Sequence, residues 1–333
     1  MNNFPSITIA FCAYNISEYV RPSLDCILNQ TFKDFELLCI DDASTDGTWD
    51  ILQEYAKRDN RIRLLRQKQN QGLSVSRNLA VQEARGEYLL MLDGDDLFAS
   101  DMVEKAYKKA KDTGADMVLW DYVVFNKEEE LEGNMKEPSS LLNVTADDKM
   151  ALLHRPAFMW VRLLRVEVVK RLGIQFAIGL TKQDIPIHWK LVTSIDKISI
   201  LPERLSYYRQ QPGSTSNRKG KSVFSLAYVM DITKKQLLED GKYEIYKNVY
   251  LYWKLSCLHG MYDMINQEYK DEALSKVKER LGFDEWKYVY SSTNELTKKE
   301  RAFYRMLQGE KWSEIKYRSY NLIRSLYRWV KKI

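Results

Sequence analysis

Histidine and cysteine are scarce in this chain of 333 residues, with three and four respectively. Cys12, Cys26, Cys39 and Cys257 form no CxxC pair, which argues against a disulfide framework. Cys12 and Cys39 lie in apolar, strand-like runs where buried free thiols are common, and a reducing compartment is expected. His154, His188 and His259 are scattered, which argues against a zinc site; His188 reads as a packed or solvent-facing ring rather than a ligand. No apolar run reaches the ~18 residues expected of a membrane-crossing helix. Met1-Asn2-Asn3-Phe4-Pro5 lacks the charged and apolar regions of a signal peptide, so the chain reads as cytoplasmic. No GxGxxG follows the first strand-like run and no GxxxxGK[ST] occurs, which argues against a dinucleotide-binding Rossmann domain and a P-loop NTPase. The net charge is only +5, so the chain offers nucleic acid no general polycation and no such partner is expected. What remains is ordinary globular composition, 45% hydrophobic and 29% charged, at a length that suggests roughly two domains.

Strand and helix patterns alternate through the first third of the chain. Ser6 to Ala13 is a continuous apolar run of the kind seen in buried parallel strands. Val20, Leu24, Ile27 and Leu28 then form a helical stripe. Phe35 to Ile40 is a second strand ending in Asp41-Asp42, followed by a turn cluster, Ala43 to Thr48, that caps a helix to about Arg58. Ile62 to Leu65 is a third strand, Asn70-Gln71-Gly72 a turn, and Leu73 to Ala84 a helix with Gly86 placed to stop it. Tyr88 to Leu92 is a fourth strand, Ser100 caps a Lys-rich helix to Thr113, and Ala115 to Trp120 is a fifth strand. Right-handed crossovers make such a series a parallel sheet covered by helices on both faces.

The acidic residues fall at one rim of that sheet. Two strands end in carboxylates, Asp41-Asp42 and Asp93-Gly94-Asp95-Asp96, and ligands of open α/β sheets bind beyond the carboxyl ends of the strands. Asp93 and Asp95, alternate residues leaving a strand, could hold a hard divalent cation such as Mn²⁺ or Mg²⁺ whose shell is completed by substrate phosphate. Gly94 would let the backbone approach a ligand closely. The plain alternative is a solvated acidic turn, and for Arg77 a surface helix residue paired with Glu83.

From Ile7 to about Trp120 the chain resembles the family 2 glycosyltransferases, inverting GT-A enzymes that act on nucleotide diphosphosugars, here of the bacterial surface-polysaccharide type. The matching residues are Ala13-Tyr14-Asn15, Leu28-Asn29-Gln30-Thr31-Phe32, Ile40 to Thr48, Asn70 to Asn78 and Leu92 to Asp96, in that order. The resemblance implies an α/β GT-A fold, a mostly parallel sheet with flanking helices plus a helical C-terminal region. It implies a catalytic domain over residues 1–217, with a nucleotide-sugar half to about 120 and an acceptor half over 121–217. It also implies that Ala13, Asn15, Asp41, Asp42, Arg77 and Asp93 line the nucleotide-sugar site, with Asp42 and Asp41 at the nucleobase, usually uracil. Asp93-Gly94-Asp95 corresponds to the metal-binding DxD. Ala43 stands where the family more often has glycine, a change expected to disturb the turn little.

In the acceptor half, residues 126–149 read as a polar excursion, with Glu128-Glu129-Glu130 and Glu132. Ala157 to Phe176 resembles the family's helix that carries an aromatic towards the acceptor; Trp160 is either that aromatic or a core residue. Inverting displacement needs a base for the attacking hydroxyl. The family has a Glu-Asp pair where this chain has Gln183-Asp184, so Asp184 is the candidate base; alternatively it caps the helix that begins at Ile185-Pro186. His188 follows one turn later. Two further strands, Ile195 to Pro202 and Leu205 to Arg209, lead to a polar loop, Gln210 to Ser216, which by resemblance closes over the diphosphate with Arg209.

From Ser222 glycine and proline nearly vanish, and residues 218–333 read as a helical region whose many tyrosines are mostly packing residues. After Glu314 there is no acidic residue, while Lys316, Arg318, Arg324, Arg328, Lys331 and Lys332 accompany Leu322, Leu326, Trp329 and Ile333 at helical spacing. Such a helix, 315–333, either lies peripherally on the inner face of an anionic membrane or docks on its own domain. The expected function is metal-dependent transfer of a sugar from a UDP-sugar to a growing surface glycan or lipid-linked oligosaccharide. The rival readings are a catalytically silent UDP- or glycan-binding scaffold and a nucleotidyltransferase of nucleotide-sugar synthesis. The latter would want a Gly-rich basic loop where Ala13-Tyr14-Asn15 stands.

Overall fold

The structure is a computed structural model that describes residues 4–127, 130–131, 138–210 and 219–330, with side chains to residue 322. The chain forms two compact units, Met1–Asn217 and Arg218–Ile333.

The first unit is built on one mixed sheet of eight strands: β1 (Ile7–Ala13), β2 (Phe35–Asp41), β3 (Ile62–Arg66), β4 (Tyr88–Asp93), β5 (Leu97–Phe98), β6 (Met117–Phe125), β7 (Arg162–Arg165) and β8 (Ile198–Arg209). Their order is β3-β2-β1-β4-β7-β6-β8-β5. The four strands of the first half are parallel, and β1, β2 and nearly all of β4 are buried, which explains their continuous apolar runs. The crossovers run through α1 (Val20–Leu28), α2 (Thr48–Arg58) and α3 (Leu73–Glu83); α4 (Met102–Thr113) leads into β6, and α5 (Lys149–Leu153), α6 (Val166–Arg171) and α7 (Asp184–Ser194) lie between β6 and β8. Register decides where the acids fall. Ala13 pairs with Asp41 and Cys12 with Asp93, so the two acidic strand ends flank the end of β1 on one rim.

The later strands depart from the sequence reading. Residues 159–164 do not form a helix: Met159–Val161 is a 3₁₀ turn and the run continues into β7. This strand is antiparallel to both neighbours and separates β4 from β6, because its Leu163 and Leu164 fit the apolar rows of both. The two expected strands after Ile195 are one, β8, with an irregularity between the Leu119–Ile200 and Asp121–Arg204 pairs that accommodates Pro202. Ser100 does not cap α4; the N-cap is Asp101, which makes no side-chain cap bond. Instead the buried Gln30 accepts from Val103 N at 3.0 Å and donates to the carbonyls of Cys26 and Ala99, tying α1, β5 and α4 together.

Gly86 lies beyond the end of α3, and its role is steric rather than helix-stopping. A Cβ there would meet Thr8 N at 2.4 Å and Ile7 C at 2.6 Å, backbone atoms of the central strand.

The second unit is helical among its described residues. It comprises α8 (Ser225–Glu239), α9 (Tyr243–Met264), α10 (Lys270–Lys278), α11 (Phe283–Tyr290), α12 (Lys298–Leu307) and α13 (Lys311–Val330). Tyr243, Tyr246, Tyr250 and Tyr304 are buried packing residues, and Tyr304 donates its hydroxyl to Leu255 O. Lys254 and Glu285 form a buried ion pair between α9 and α11 at 2.5 Å. No described helix is long and apolar enough to cross a membrane. The basic residues from Arg324 onward lie outside the described side chains.

Gly86→Ala should cost about 1–3 kcal/mol of stability, since a backbone must shift to admit one methyl; urea unfolding of the purified variant measures it.

Candidate active site

Arg77 sits on α3 with 2% of its surface exposed. Its Nη2 donates to Asp93 Oδ1 at 2.9 Å, and its Nη1 donates to Asp184 Oδ1. The surface pairing with Glu83 does not occur; Glu83 pairs with Arg63. Burial opposes the Arg77 charge, but the two carboxylates outweigh it and its pKa is raised. The guanidinium also lies over the Phe176 ring.

The chain's own packing brings Asp184 to this position. Asn78, next to Arg77, accepts from Phe176 N at 2.7 Å and donates to Phe176 O at 3.0 Å, while Ser74 donates to Ala177 O. The segment ahead of α7 (Asp184–Ser194) is therefore clamped along α3. The helix N-cap is Gln183, buried, and Asp184 is the first helical residue, its carboxylate turned to Arg77. Burial raises the Asp184 pKa, opposed by Arg77 and supported by Asp93.

The acidic turn after β4 is crowded. Burial, then the Asp93 charge, pushes the Asp95 pKa up to about 6. Asp96, 1% exposed, is held well above the ordinary range by burial and then by Asp95 and Asp93. Its Oδ1 accepts from Arg209 N at 2.9 Å, and its Oδ2 meets no donor among the described residues. Arg209 also donates from Nε to Asp95 O and lies over the rings of Phe125 and Tyr19. Gly94 also packs on the core: a Cβ there would meet Ile16 Cδ1 at 2.4 Å and Phe11 Cζ at 2.9 Å. Among the described residues no cluster of three or more His, Cys, Asp or Glu is arranged to hold a metal. Asp93, with one oxygen on Arg77, and Asp95 form a hard two-carboxylate set. Their crowding is what a divalent cation relieves, and Mg²⁺ or Mn²⁺ commonly completes such a shell with water and phosphate oxygens.

At the β2 end both carboxylates hold loops. Asp41 accepts from Ser44 N and pairs with Arg66 at 3.1 Å. Asp42 accepts from Gln67 Nε2, Gln71 N and Gly72 N at 2.7–2.8 Å. Asn15 accepts from Thr45 N and donates its own N–H to Ser44 Oγ, joining the end of β1 to the same turn. Ala13, buried, accepts from Asp42 N. The turn is not indifferent to Ala43, which has φ +59°, the left-handed region where a Cβ is strained.

Trp160 is 2% exposed, stacked on Phe158 at 4.7 Å between ring centroids and flanked by Tyr122 and Tyr208. Its ring is core, and the partly exposed members of the cluster are its neighbours. Gln211 to Ser216, the expected diphosphate loop, lies outside the described residues. Sequence reasoning missed Asn78 as the clamp and Arg162, a buried arginine at the start of β7; an arginine inside the apolar run Val161-Arg162-Leu163-Leu164 was the available signal.

A parallel α/β half with an acidic rim, extended by antiparallel β7 and parallel β6 and β8, defines the GT-A class of sugar-transferase folds. The chain belongs to Glycosyl transferase family 2, whose model matches residues 8–173. It is 30% identical over 224 residues to glycosyltransferase GlyA of Streptococcus pneumoniae, a match covering 63% of this chain and 31% of GlyA. It is 27% identical over 312 residues to the cholesterol galactosyltransferase of Borreliella burgdorferi, covering 85% of this chain and 86% of that one. The fold matches S. aureus TarS 1–349 with TM-score 0.63 at 22% identity, covering 82% of this chain and 80% of that one. TarS has also been solved with UDP-GlcNAc, a structure that matches with TM-score 0.58 at 17% identity and covers 85% of this chain and 91% of that one. The mannosyltransferase PcManGT of Pyrobaculum calidifontis, solved with GDP-Man and Mn²⁺, matches with TM-score 0.56 at 16% identity, covering 94% and 83%.

Ala43→Gly should stabilise the protein by about 1 kcal/mol, the left-handed strain of alanine less the flexibility of glycine; thermal unfolding at fixed ligand concentration measures it.

Proposed function

We propose that the first unit is a metal-dependent inverting glycosyltransferase that moves a sugar from a UDP-sugar to a hydroxyl of a surface glycan or lipid-linked acceptor. The observation that carries this reading is the bridge Asp93–Arg77–Asp184, which puts the strand-end carboxylates one guanidinium away from a further, partly buried carboxylate. Asp184 is the base that takes the acceptor hydroxyl's proton as that oxygen attacks the anomeric carbon. Burial favours this, since a base is most effective with a pKa lifted towards the working pH. Arg77 orients Asp184 and balances its charge while it is ionised.

Asp93 and Asp95 would hold a divalent cation, which when bound supplies Lewis-acid stabilisation of the departing diphosphate. Asp42, with Asp41 behind it, recognises the nucleobase: three donors occupy Asp42, and a carboxylate offers about four lone-pair sites, so one remains for an imide N–H. Ala13 and Asn15 shape the floor of that pocket. Arg209, fixed against the Asp95-Asp96 turn, faces the phosphates. A UDP-sugar donor is supported by the UDP-GlcNAc complex of TarS, and the cation by the Mn²⁺ of the Pyrobaculum enzyme. A lipid-bearing acceptor is supported by the Borreliella relative, which matches most of both chains. On the acceptor side the contact falls to Phe158 and Tyr208, whose rings screen Trp160.

UDP release from a panel of UDP-sugars with Mn²⁺ tests the proposal without a known acceptor. One donor should be turned over, with activity lost in Asp95→Ala and reduced about 10²–10⁴-fold in Asp184→Asn. Because the base works ionised and its pKa is raised, activity should fall with decreasing pH through a limb above the ordinary carboxylate range. Tight UDP binding without any turnover, even with a glycan or lipid acceptor supplied, would favour the silent scaffold; no UDP binding would overturn the reading of the acidic rim.

A further inference from the structure

Arg162 opens β7 with 1% of its surface exposed and, among the described residues, no carboxylate paired to it. Its Nε donates to Phe158 O at 3.0 Å and its Nη2 to His188 Nδ1 at 3.2 Å; its Nη1 is buried and meets no acceptor among the described residues. The partners fix the histidine tautomer. A guanidinium only donates, so Nδ1 is bare, and Leu152 O only accepts, so Nε2 carries the hydrogen of the 3.1 Å bond. His188 is therefore neutral, consistent with a pKa pushed well below the usual value by burial and then by the Arg162 charge. Burial lowers the Arg162 pKa to about 10, which still leaves it charged at neutral pH.

A buried cation with a bare N–H is costly unless something nearby needs its charge. The group that does is Asp184. His188 stands four residues after Asp184 on α7, hence on the same helix face, so the residue that grips Arg162 and the candidate base share one rigid turn. The charged groups acting on Asp184 are Arg77 from α3, Asp93 from β4, Arg162 from β7 and Lys182 from the preceding turn. Arg77 is divided between two carboxylates, whereas Arg162 has no competing anion in contact among the described residues.

We propose that Arg162, gripped by the neutral His188, is a positioning residue that holds a fixed positive charge behind Asp184 and so keeps the base ionised while the acceptor binds. This rests on Asp184 being the base. Burial raises the pKa of that carboxyl and so works against its ionised, proton-accepting form. The second cation limits the rise without forming an ion pair that would have to break during proton transfer.

The test is the acid limb of kcat/KM against pH for hydrolysis of the preferred UDP-sugar, with melting temperature read in parallel. In Arg162→Met the limb should move up by about half a pH unit or more, the direction expected when a nearby cation is lost. Its melting temperature should not fall, since an apolar side chain of similar length replaces a buried unpaired charge. Arg162→Lys should keep the limb of the wild type. If Arg162→Met does not fold, Arg162→Gln, neutral but able to donate to Phe158 O, carries the same expectation. A folded neutral variant with the wild-type limb, or a lysine variant that shifts as far as methionine, would overturn the inference while leaving Asp184 in its role. Full turnover in Asp184→Asn would overturn Asp184 as base, and absence of turnover with every donor would overturn the proposed function; the inference falls with either.

Discussion

One buried guanidinium holds the candidate site together. Arg77 joins carboxylates from two parts of the first unit, Asp93 at the end of β4 and Asp184 at the start of α7. Taking such charges out of water costs several kcal/mol per ion, repaid only when geometry and partners are fixed. The fixing is visible on both sides. Asp93 is placed by the parallel register of β4 against β1, and Asp184 by the clamp of Ser74 and Asn78 on residues 176–177. Because Ser74, Arg77 and Asn78 lie on one helix, the residue that bridges the carboxylates and the residues that deliver the second of them cannot shift independently.

Around this bridge the charges are unevenly shared. Two arginines, Arg77 and Arg162, act on Asp184, while Asp93, Asp95 and Asp96 crowd a single turn. Asp96 resolves its share by accepting from a backbone amide and lying in a setting that favours its protonated form. Asp95 is left half-buried next to the Asp93 charge with its pKa lifted to about 6. That is an unfavourable arrangement for a stable surface turn. The Arg209 charge offsets only part of that cost.

The parallel half was legible because buried parallel strands announce themselves as apolar runs, and the rim because two of those runs stop at aspartates. The later half was harder for a physical reason. In β7 an apolar run of strand length could not be told from a buried helix by periodicity, and its partners, Leu89 and Val118, are remote in sequence. Trp160 looked alike as a core or a surface aromatic until the rings of Phe158, Tyr122 and Tyr208 closed over it. Arg77 and Asp184 were legible as members of ordered motifs, but not their contact. Glycine misled in two ways. Gly86 is required by close contact with the backbone of β1 rather than by a helix end, and Ala43 occupies a left-handed turn that its side chain resists.

The β2 carboxylates show why such a rim is rigid before any ligand arrives. Asp42 gathers Gln67, Gln71 N and Gly72 N, and so fixes the entry to α3, the helix that carries Arg77. Asp41 fixes the turn at Ser44, to which Asn15 also bonds. One short acidic pair thus orders two loops, and the second of them leads directly into the Arg77 bridge. A ligand that bonds to the remaining lone pair of Asp42 meets loops already in place, which removes the ordering cost that would otherwise weaken binding. The strain at Ala43 is sustained by the same network, since the amides on either side of it, Asp42 N and Ser44 N, are both held by partners at the ends of β1 and β2. The rigidity of the rim and the position of Asp184 are therefore one property, set by hydrogen bonds that run from β2 through α3 to α7.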